Sequence, residues 1–150
     1  MRAVIQRVSS SYVKVDQNIV AQIGKGINVL VGFTKNDYPN ISQTYDKLVD
    51  KILNMRIFED ENGKMNLSLI DVDGEILLVS QFTLYGDLSR GRRPSFDNAL
   101  EYTKAIELFN KLQEKFEKKW NKVKVGVFGA HMEVCIVNDG PVTFILEWNT

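Results

Sequence analysis

Polar side chains gather at one end of the most strand-like stretch of the chain. Residues 75–84 alternate as a β-strand that is apolar on both faces in its first half, which is typical of a central strand. The stretch becomes polar at Ser80, Gln81 and Thr83, and such groups at the end of a buried strand cost free energy unless they are paired or used. They therefore either form hydrogen bonds with the following loop or belong to a functional site, and the pattern leaves both interpretations open.

A second unusual segment is Asn138-Asp139-Gly140-Pro141-Val142-Thr143. Alternating apolar residues precede and follow it, so the pattern predicts a β-hairpin with this segment as its turn. Gly140 allows unusual backbone angles, and the bond before a proline is the type of peptide bond that is readily cis. A rigid turn of this kind exposes its carbonyl groups, which could then contact a ligand directly. An ordinary hairpin turn also explains the spacing.

The arginines offer two further candidates. Arg90, Arg92 and Arg93 form the densest basic cluster of the chain, in a loop after the polar strand end. Guanidinium groups suit phosphate oxygens, and the alternative is a solvated charged loop. Arg7 shares a predicted strand face with Ile5, so it either is partly buried and holds carbonyl or carboxylate groups, or reaches solvent from a strand end.

The residue inventory excludes several mechanisms. His131 is the only histidine and Cys135 the only cysteine, so paired-histidine mechanisms, His-rich metal sites and Cys-x-x-Cys sites are absent. We expect His131 to face solvent because it alternates out of phase with Met132. Neither a phosphate-binding P-loop nor a Gly-x-Ser-x-Gly elbow occurs. We predict no metal and no cofactor, and an enzyme of this composition would act on an already activated bond with hydroxyl, amide and backbone groups.

Length and composition indicate one soluble globular domain over residues 1–150. The hydrophobic content is 44% and the charged content 25%, both ordinary for such a domain. Lys and Arg number 19, as do Asp and Glu, so no overall field attracts nucleic acid or membrane, and an RNA partner would need a local basic patch. The single cysteine suits a reducing cytoplasm. We expect no signal peptide and no membrane span.

The elements that must position these residues are mostly strands. Apolar stripes at helical spacing predict two main helices, at 40–55 and 101–119. Alternating runs predict strands at 2–8, 12–15, 19–23, 27–33, 75–84, 123–128, 130–137 and 142–148. Because the helices do not alternate regularly with the strands, the pattern indicates an α+β fold with a curled, mostly antiparallel or mixed, barrel-like sheet.

Taken together, Ser80-Gln81-Phe82-Thr83-Leu84 and the segment around Gly140-Pro141 resemble motifs of the D-aminoacyl-tRNA deacylases. The resemblance spans the chain in the family's order. Its further segments are Ile5-Gln6-Arg7-Val8, Arg56-Ile57-Phe58, Gly63-Lys64-Met65-Asn66, Arg93-Pro94-Ser95-Phe96 and Phe128-Gly129-Ala130. One departure is His131, where the family usually carries an aspartate, and it concerns a local polar contact more than catalysis.

The resemblance implies a homodimeric cytoplasmic hydrolase that cuts the ester between a D-amino acid, or glycine, and the terminal adenosine of tRNA. It implies that the Gly140-Pro141 bond is cis and reaches into the partner subunit's pocket, where its carbonyls exclude an L side chain. The residues implied as catalytic are Ser80, Gln81, Phe82 and Thr83, with backbone N–H groups near Phe82 and Thr83 receiving the developing oxyanion. The residues implied to contact the substrate are Arg7, Met132, Gly140 and Pro141.

The arginine cluster at Arg90, Arg92 and Arg93 would contact phosphates near the acceptor end of the tRNA, and we expect no DNA partner. Whether Thr83 is a nucleophile or the 2′-hydroxyl of the RNA assists a water stays open. Two alternatives belong to other classes: a non-catalytic tRNA-binding module of the same fold, and a structural dimerisation domain. The first would bind tRNA and leave the ester intact, and the second would tolerate changes at Ser80, Gln81 and Thr83.

Overall fold

Eight strands and two α-helices make up the computed structural model, which describes residues 1–150. The strands are β1 (Arg2–Val15), β2 (Asn18–Ile23), β3 (Gly26–Gly32), β4 (Phe58–Glu59), β5 (Met65–Leu67), β6 (Glu75–Ser80), β7 (Val123–Val125) and β8 (Glu133–Glu147). The helices are α1 (Tyr45–Asn54) and α2 (Tyr102–Lys119), with short 3₁₀ helices at Lys35–Asp37, Asn40–Thr44 and Phe82–Tyr85. Neither α-helix is both long and apolar enough to cross a membrane.

One mixed sheet of six strands organises the fold. The long strand β1 pairs with β8 along one edge and with both β2 and β3 along the other, always antiparallel. Beyond β3 the order continues through β6 to β7 with parallel pairing. Strands β4 and β5 form a separate antiparallel pair. The large sheet curls into a nearly closed barrel, which confirms the predicted α+β class with two main helices.

The two faces of the large sheet are buried in different ways. Helices α1 and α2 cover one face, where the larger apolar cluster lies. A smaller cluster fills the other face, inside the curl of the sheet. Strand β6 contributes to both, since Ile76 and Leu78 belong to the first cluster and Leu77 and Val79 to the second. The prediction of a central strand there is confirmed.

The strands predicted at 12–15 and 19–23 are confirmed, and they pair as a hairpin between β1 and β2. Its tip residues Asp16 and Gln17 have φ angles of 49° and 68°, and two successive positive φ values are the hallmark of a type I′ turn. Such a turn has the twist of the strands that it joins, so it fixes their register.

The predicted strand at 75–84 ends earlier, at Ser80. Residues Phe82–Tyr85 form a 3₁₀ helix, here called the floor helix, in which Leu84 N–H donates to the Gln81 carbonyl at 3.2 Å. The backbone leaves the strand at Gln81, whose φ and ψ are −144° and 80°. Alternation of apolar and polar residues alone did not reveal this change, because a single short helical turn leaves the pattern nearly intact.

The predicted hairpin around Gly140 and Pro141 is wrong. Strand β8 runs through this segment in one direction, and both of its halves pair with β1. Val8 pairs with Asn138 and Gln6 pairs with Thr143, so residues 139–142 lie opposite Arg7 alone and form a bulge, here called the Gly-Pro bulge. The physical reason is that β1 has 14 residues and can pair with both runs. A bulge and a turn place the same residue types between alternating runs.

Candidate functional site

A cavity of about 520 Å³, the main cavity, opens where several elements end. Its walls are the end of β3, the end of β6 with the floor helix, the start of α2 and residues 128–134. The structure brings four predicted residues together around it, Ser80, Gln81, Phe82 and Met132, in a mainly apolar lining. Such a lining with a few convergent polar groups is typical of a ligand site.

The floor of the main cavity is fixed to the sheet by a close backbone approach. Gln81 N–H donates to the Val31 carbonyl at 2.7 Å, which continues the β3–β6 pairing by one residue. A Cβ atom at Gly32 would lie 2.7 Å from the Gln81 carbonyl oxygen and 3.1 Å from Leu84 Cβ. Only glycine therefore allows the floor helix to begin against β3 in this way.

The first two residues of the floor helix carry unused backbone donors. The N–H groups of Phe82 and Thr83 have no backbone or side-chain acceptor in the chain, as is usual for the first residues of a helix. Phe82 lines the main cavity, whereas Thr83 is exposed and lies just beyond its lining. The Gln81 side-chain amide donates to the Thr83 hydroxyl in a short hydrogen bond. The floor helix thus has two successive N–H groups that are free to donate, and groups of this kind can stabilise an oxyanion.

An arginine that the sequence gave no reason to select secures the other end of the floor helix. Arg2 Nη1 donates to the Leu84 carbonyl at 2.6 Å, and its guanidinium lies 4.8 Å from the centre of the Tyr85 ring. Arg2 Nε donates to Glu147 Oε1 at 2.5 Å. Burial raises the pKa of Tyr85 to about 12, so its ring stays neutral below that pH. These partners are far apart in sequence, so no local pattern connects them.

Another part of the lining of the main cavity consists of Met132, Phe128 and Tyr102. Tyr102 has the spacing of the core stripe of α2 but is 58% exposed at the rim, and it contacts Phe128 edge-on at 5.3 Å. His131 is exposed, as predicted, and also lies at this rim. It further lines a small polar depression, beside Lys14 and Glu133 among others.

Arg7, Gly140 and Pro141 are not at the main cavity of their own chain. Arg7 is only 4% exposed and donates to the carbonyls of Asp139, at 3.1 Å, and Ile57, at 2.9 Å. Its guanidinium also lies 3.4 Å from the Asp139 carboxylate. The structure therefore favours the buried arginine over the solvent-facing one, and Arg7 holds the Gly-Pro bulge. Within the bulge the Gly140-Pro141 peptide bond is cis and both residues are exposed.

The three clustered arginines lie on an exposed loop beside the main cavity. This arginine loop, residues 87–95, is closed by two backbone hydrogen bonds between Asp87 and Ser95, at 2.8 and 2.9 Å. Arg90, Arg92 and Arg93 are all exposed, and none of them forms an ion pair. Their charges are free to meet an anionic partner. No group of three or more His, Cys, Asp or Glu side chains is placed to hold a metal ion.

Comparison with known proteins gives concordant results. Residues 4–147 match the family model described as D-Tyr-tRNA(Tyr) deacylase. A protein of Persephonella marina named D-aminoacyl-tRNA deacylase is 56% identical over 147 residues, which cover 98% of this chain and 97% of the relative. A protein of the same name from Clostridium acetobutylicum is 54% identical over the same shares.

Solved structures also match over nearly the whole chain. A chain titled c-Myc DNA Unwinding Element Binding Protein superposes with a TM-score of 0.90 at 41% identity, and the match covers 100% of both chains. A second, titled as a probable eukaryotic D-amino acid tRNA deacylase, has a TM-score of 0.85 at 17% identity over 97% of both chains. At that identity the second match shows a shared fold alone.

Proposed function

This chain belongs to the D-Tyr-tRNA(Tyr) deacylase family and is a hydrolase, and from that premise we propose that its main cavity binds the aminoacylated 3′ end of tRNA. The enzyme hydrolyses the ester of a D-aminoacyl-tRNA and releases the D-amino acid and the tRNA. The observation that carries this proposal is the pair of unused N–H groups at Phe82, which lines an apolar cavity, and at Thr83, the next residue of the floor helix. The family and the named relatives supply the substrate class.

Hydrolysis of this ester needs little more than positioning and charge stabilisation. Water attacks the ester carbonyl carbon, and the carbonyl oxygen becomes negatively charged. The bond to the ribose oxygen then breaks, and the ribose oxygen leaves as a hydroxyl group with the proton that the attacking water releases. Donors aimed at the carbonyl oxygen suit the main cavity, because removal of one such donor in other enzymes costs about 100- to 1000-fold in kcat. Gln81 and Arg2 hold the floor helix from its two ends, so its N–H groups are in place before the reaction.

Chiral selectivity comes from backbone atoms of the Gly-Pro bulge supplied by a second copy of the chain. In one chain the bulge lies away from its own cavity, and Arg7 holds it by donating to the Asp139 carbonyl. The Arg7 side chain is itself anchored by the Ile57 carbonyl. In an isologous dimer each chain would present its bulge to the other. Carbonyl groups there would occupy the space that an L side chain needs. Glycine has no side chain, so glycyl-tRNA would also be a substrate.

The arginine loop supplies the contact to phosphates near the acceptor end. Its three guanidinium groups are exposed and unpaired in a protein whose formal net charge is zero. Arginine binds phosphate oxygens through parallel N–H donors. Since aminoacyl-tRNA is made and used in the cytoplasm, we place the enzyme there.

The deciding experiment is a deacylation time course on tyrosyl-tRNA charged with D- or L-tyrosine, with glycyl-tRNA in parallel. We expect rapid loss of the D-ester and of the glycyl ester, and an L-ester that decays at the rate seen without enzyme. Unchanged D-ester combined with tight tRNA binding would instead identify a non-catalytic tRNA-binding module. Equal rates on D- and L-esters would refute exclusion by the Gly-Pro bulge.

A further inference from the structure

Two large aromatic rings are exposed side by side at the edge of the main cavity. Phe82 is 56% exposed and Phe96 is 40% exposed, and their ring centres lie 5.1 Å apart. Phe82 lines the cavity, whereas Phe96 lies beyond it, directly after the arginine loop. Adjacent exposed aromatic rings at the edge of a cavity often mark a surface that binds a ligand or another macromolecule.

The local structure holds both rings in place. Phe82 begins the floor helix, which is anchored to β3 and to Arg2. A Cβ atom at Gly86 would lie 3.2 Å from the Phe96 ring, so this ring packs directly on the backbone. The closing hydrogen bonds between Asp87 and Ser95 fix the chain just before Phe96. The pair is therefore a preformed surface.

The charge beside the rings indicates what binds there. Arg90, Arg92 and Arg93 are exposed on the adjoining loop and have no acidic partner within the protein. The carboxylate of Asp87 accepts a hydrogen bond from Ser89 N–H at 2.8 Å, so it is engaged within the loop. Flat aromatic surface next to free arginines is the combination that binds single-stranded nucleic acid, through base stacking and phosphate contacts.

We propose that Phe82 and Phe96 form a stacking platform for the base of the nucleotide that precedes the terminal adenosine of the substrate. This inference rests on the proposed function, in which the aminoacylated terminal nucleotide occupies the main cavity. The RNA strand must then leave across the rim, where the platform lies on the way to the arginine loop. The arginines favour this anionic occupant over a second copy of the neutral chain. With this platform the enzyme contacts at least two nucleotides of its substrate.

The test compares two minimal substrates that differ only in length. One is the D-tyrosyl ester of adenosine, and the other is the D-tyrosyl ester of the trinucleotide CCA. Stacking on aromatic side chains contributes about 1–3 kcal/mol per base, so we expect the KM of the trinucleotide ester to be lower by roughly 5- to 150-fold. Phe96→Leu should remove most of this difference and leave kinetics on the adenosine ester unchanged, and Phe96→Tyr should preserve it. Phe144→Leu is the matched control, because Phe144 is also an exposed phenylalanine, at 41%, but lies on β8.

Four outcomes would overturn the platform. The first is equal KM values for the two esters in the wild type, and the second is a rise in KM of the same size on both esters in Phe96→Leu. The third is a rise in the KM of the trinucleotide ester in Phe144→Leu that equals the rise in Phe96→Leu. The fourth is a Phe96→Leu variant that sediments as a smaller species. The last would assign the rings to an interface between copies. If the wild type cleaves neither ester, the proposed function fails instead. Calorimetric binding of uncharged CCA trinucleotide then decides the platform alone, since equal affinities of wild type and Phe96→Leu would refute it.

Discussion

The hydroxyl group of Thr83 accepts a hydrogen bond from the Gln81 amide, and no histidine, lysine or carboxylate bonds to it. A nucleophilic threonine needs a base within hydrogen-bond reach. The only histidine, His131, lines the main cavity, whereas Thr83 does not. At the scale of single residues, the site therefore favours a water attack assisted by backbone donors over an acyl-enzyme.

We predict that Thr83→Ala keeps measurable hydrolysis of D-tyrosyl-tRNA. The hydroxyl group accepts from Gln81, while the N–H groups that we propose to stabilise the oxyanion belong to the backbone and remain. Single-turnover rates measure the effect, with Thr103→Ala, an exposed threonine of α2, as the control. A completely inactive Thr83→Ala protein that still folds and binds tRNA, or a covalent aminoacyl adduct on Thr83, would establish covalent catalysis.

We predict that Gly140→Ala disturbs the Gly-Pro bulge. Gly140 has φ of 122°, and an added Cβ atom would lie 3.1 Å from Arg7 Nη2 and 3.0 Å from Val142 Cγ2. Backbone in such a region costs a non-glycine residue about 1–3 kcal/mol, so the free energy of unfolding should fall by that order and activity should fall with it. Urea unfolding measures the change. Gly63→Ala is the control for positive φ alone, because Gly63 has φ of 72° and nothing within 4 Å.

A result in which Gly140→Ala is no less stable than Gly63→Ala, and hydrolyses D-esters at the wild-type rate, would show that the bulge tolerates a side chain. Arg7 would then support the fold without setting the geometry of the site.

At the scale of elements, the site depends on how the floor helix and the two α-helices are attached to the sheet. The floor helix is held by β3 at one end and by Arg2 of β1 at the other. Helix α2 provides Tyr102 at the rim, and its far half is tied to α1 by Lys115 and Lys119, which contact Asp46 at 3.0 and 3.3 Å. Helix α2 therefore contributes to the site directly through Tyr102, and ion pairs on the surface hold α2 against α1.

Asp46 should give the protein a pH-dependent stability. Hydrogen bonds from Lys115, and then from Lys119, hold the pKa of Asp46 below its usual range. Because the folded pKa is lowered, the stabilisation is present above the unfolded pKa of about 3.9 and disappears as the pH falls through the folded value. We therefore expect Asp46→Asn to lower Tm at neutral pH and low salt, with no difference from wild type in strong acid.

Calorimetric melting at several pH values and salt concentrations tests this expectation. Asp50→Asn, an exposed aspartate of the same helix without an ion pair, is the control. A Tm difference for Asp46→Asn that persists unchanged in strong acid would assign the effect to helix packing, since protonated Asp46 no longer attracts the lysines.

At the scale of the whole molecule, a formally neutral protein must bind a polyanion through a local patch. We predict that replacing Arg90, Arg92 and Arg93 by alanine weakens tRNA binding and reduces the slope of log affinity against log salt by roughly 2 to 3. The control replaces Lys47, Lys51 and Lys118, which are exposed lysines on the helices, and changes the net charge equally. Filter binding of tRNA at several salt concentrations, with a DNA competitor, measures the affinity and its salt slope for both variants. An unchanged slope in the arginine variant would place the RNA on the helical lysines.

The last prediction concerns assembly. Since the Gly-Pro bulge lies away from the cavity of its own chain, it can act there only through a second copy. Sedimentation at micromolar concentration should give twice the chain mass of 17.1 kDa, and specific activity should fall on dilution below the dissociation constant. A fully active monomer would refute the role of the bulge in trans.

Local sequence patterns determined much of this protein. Alternation identified most of the strands, including the two on either side of Asp16 and Gln17, and helical spacing identified both α-helices. The polar end of β6 identified Ser80 and Gln81 beside the cavity, because unpaired polar groups are costly wherever a buried strand ends. The family resemblance rested on motifs that are contiguous in sequence.

Tertiary structure alone decided how distant residues meet. Asn138 to Thr143 became a bulge because β1 is long enough to pair with both halves of β8, and the length of a partner strand is not encoded near Gly140. Arg2 supports the floor helix because β1 brings it close to that helix, and Arg7 packs against Gly140, where an added Cβ atom would lie 3.1 Å from its guanidinium. Contacts of this kind depend on how the sheet curls, which is set by packing over both of its faces and by no single segment of the chain.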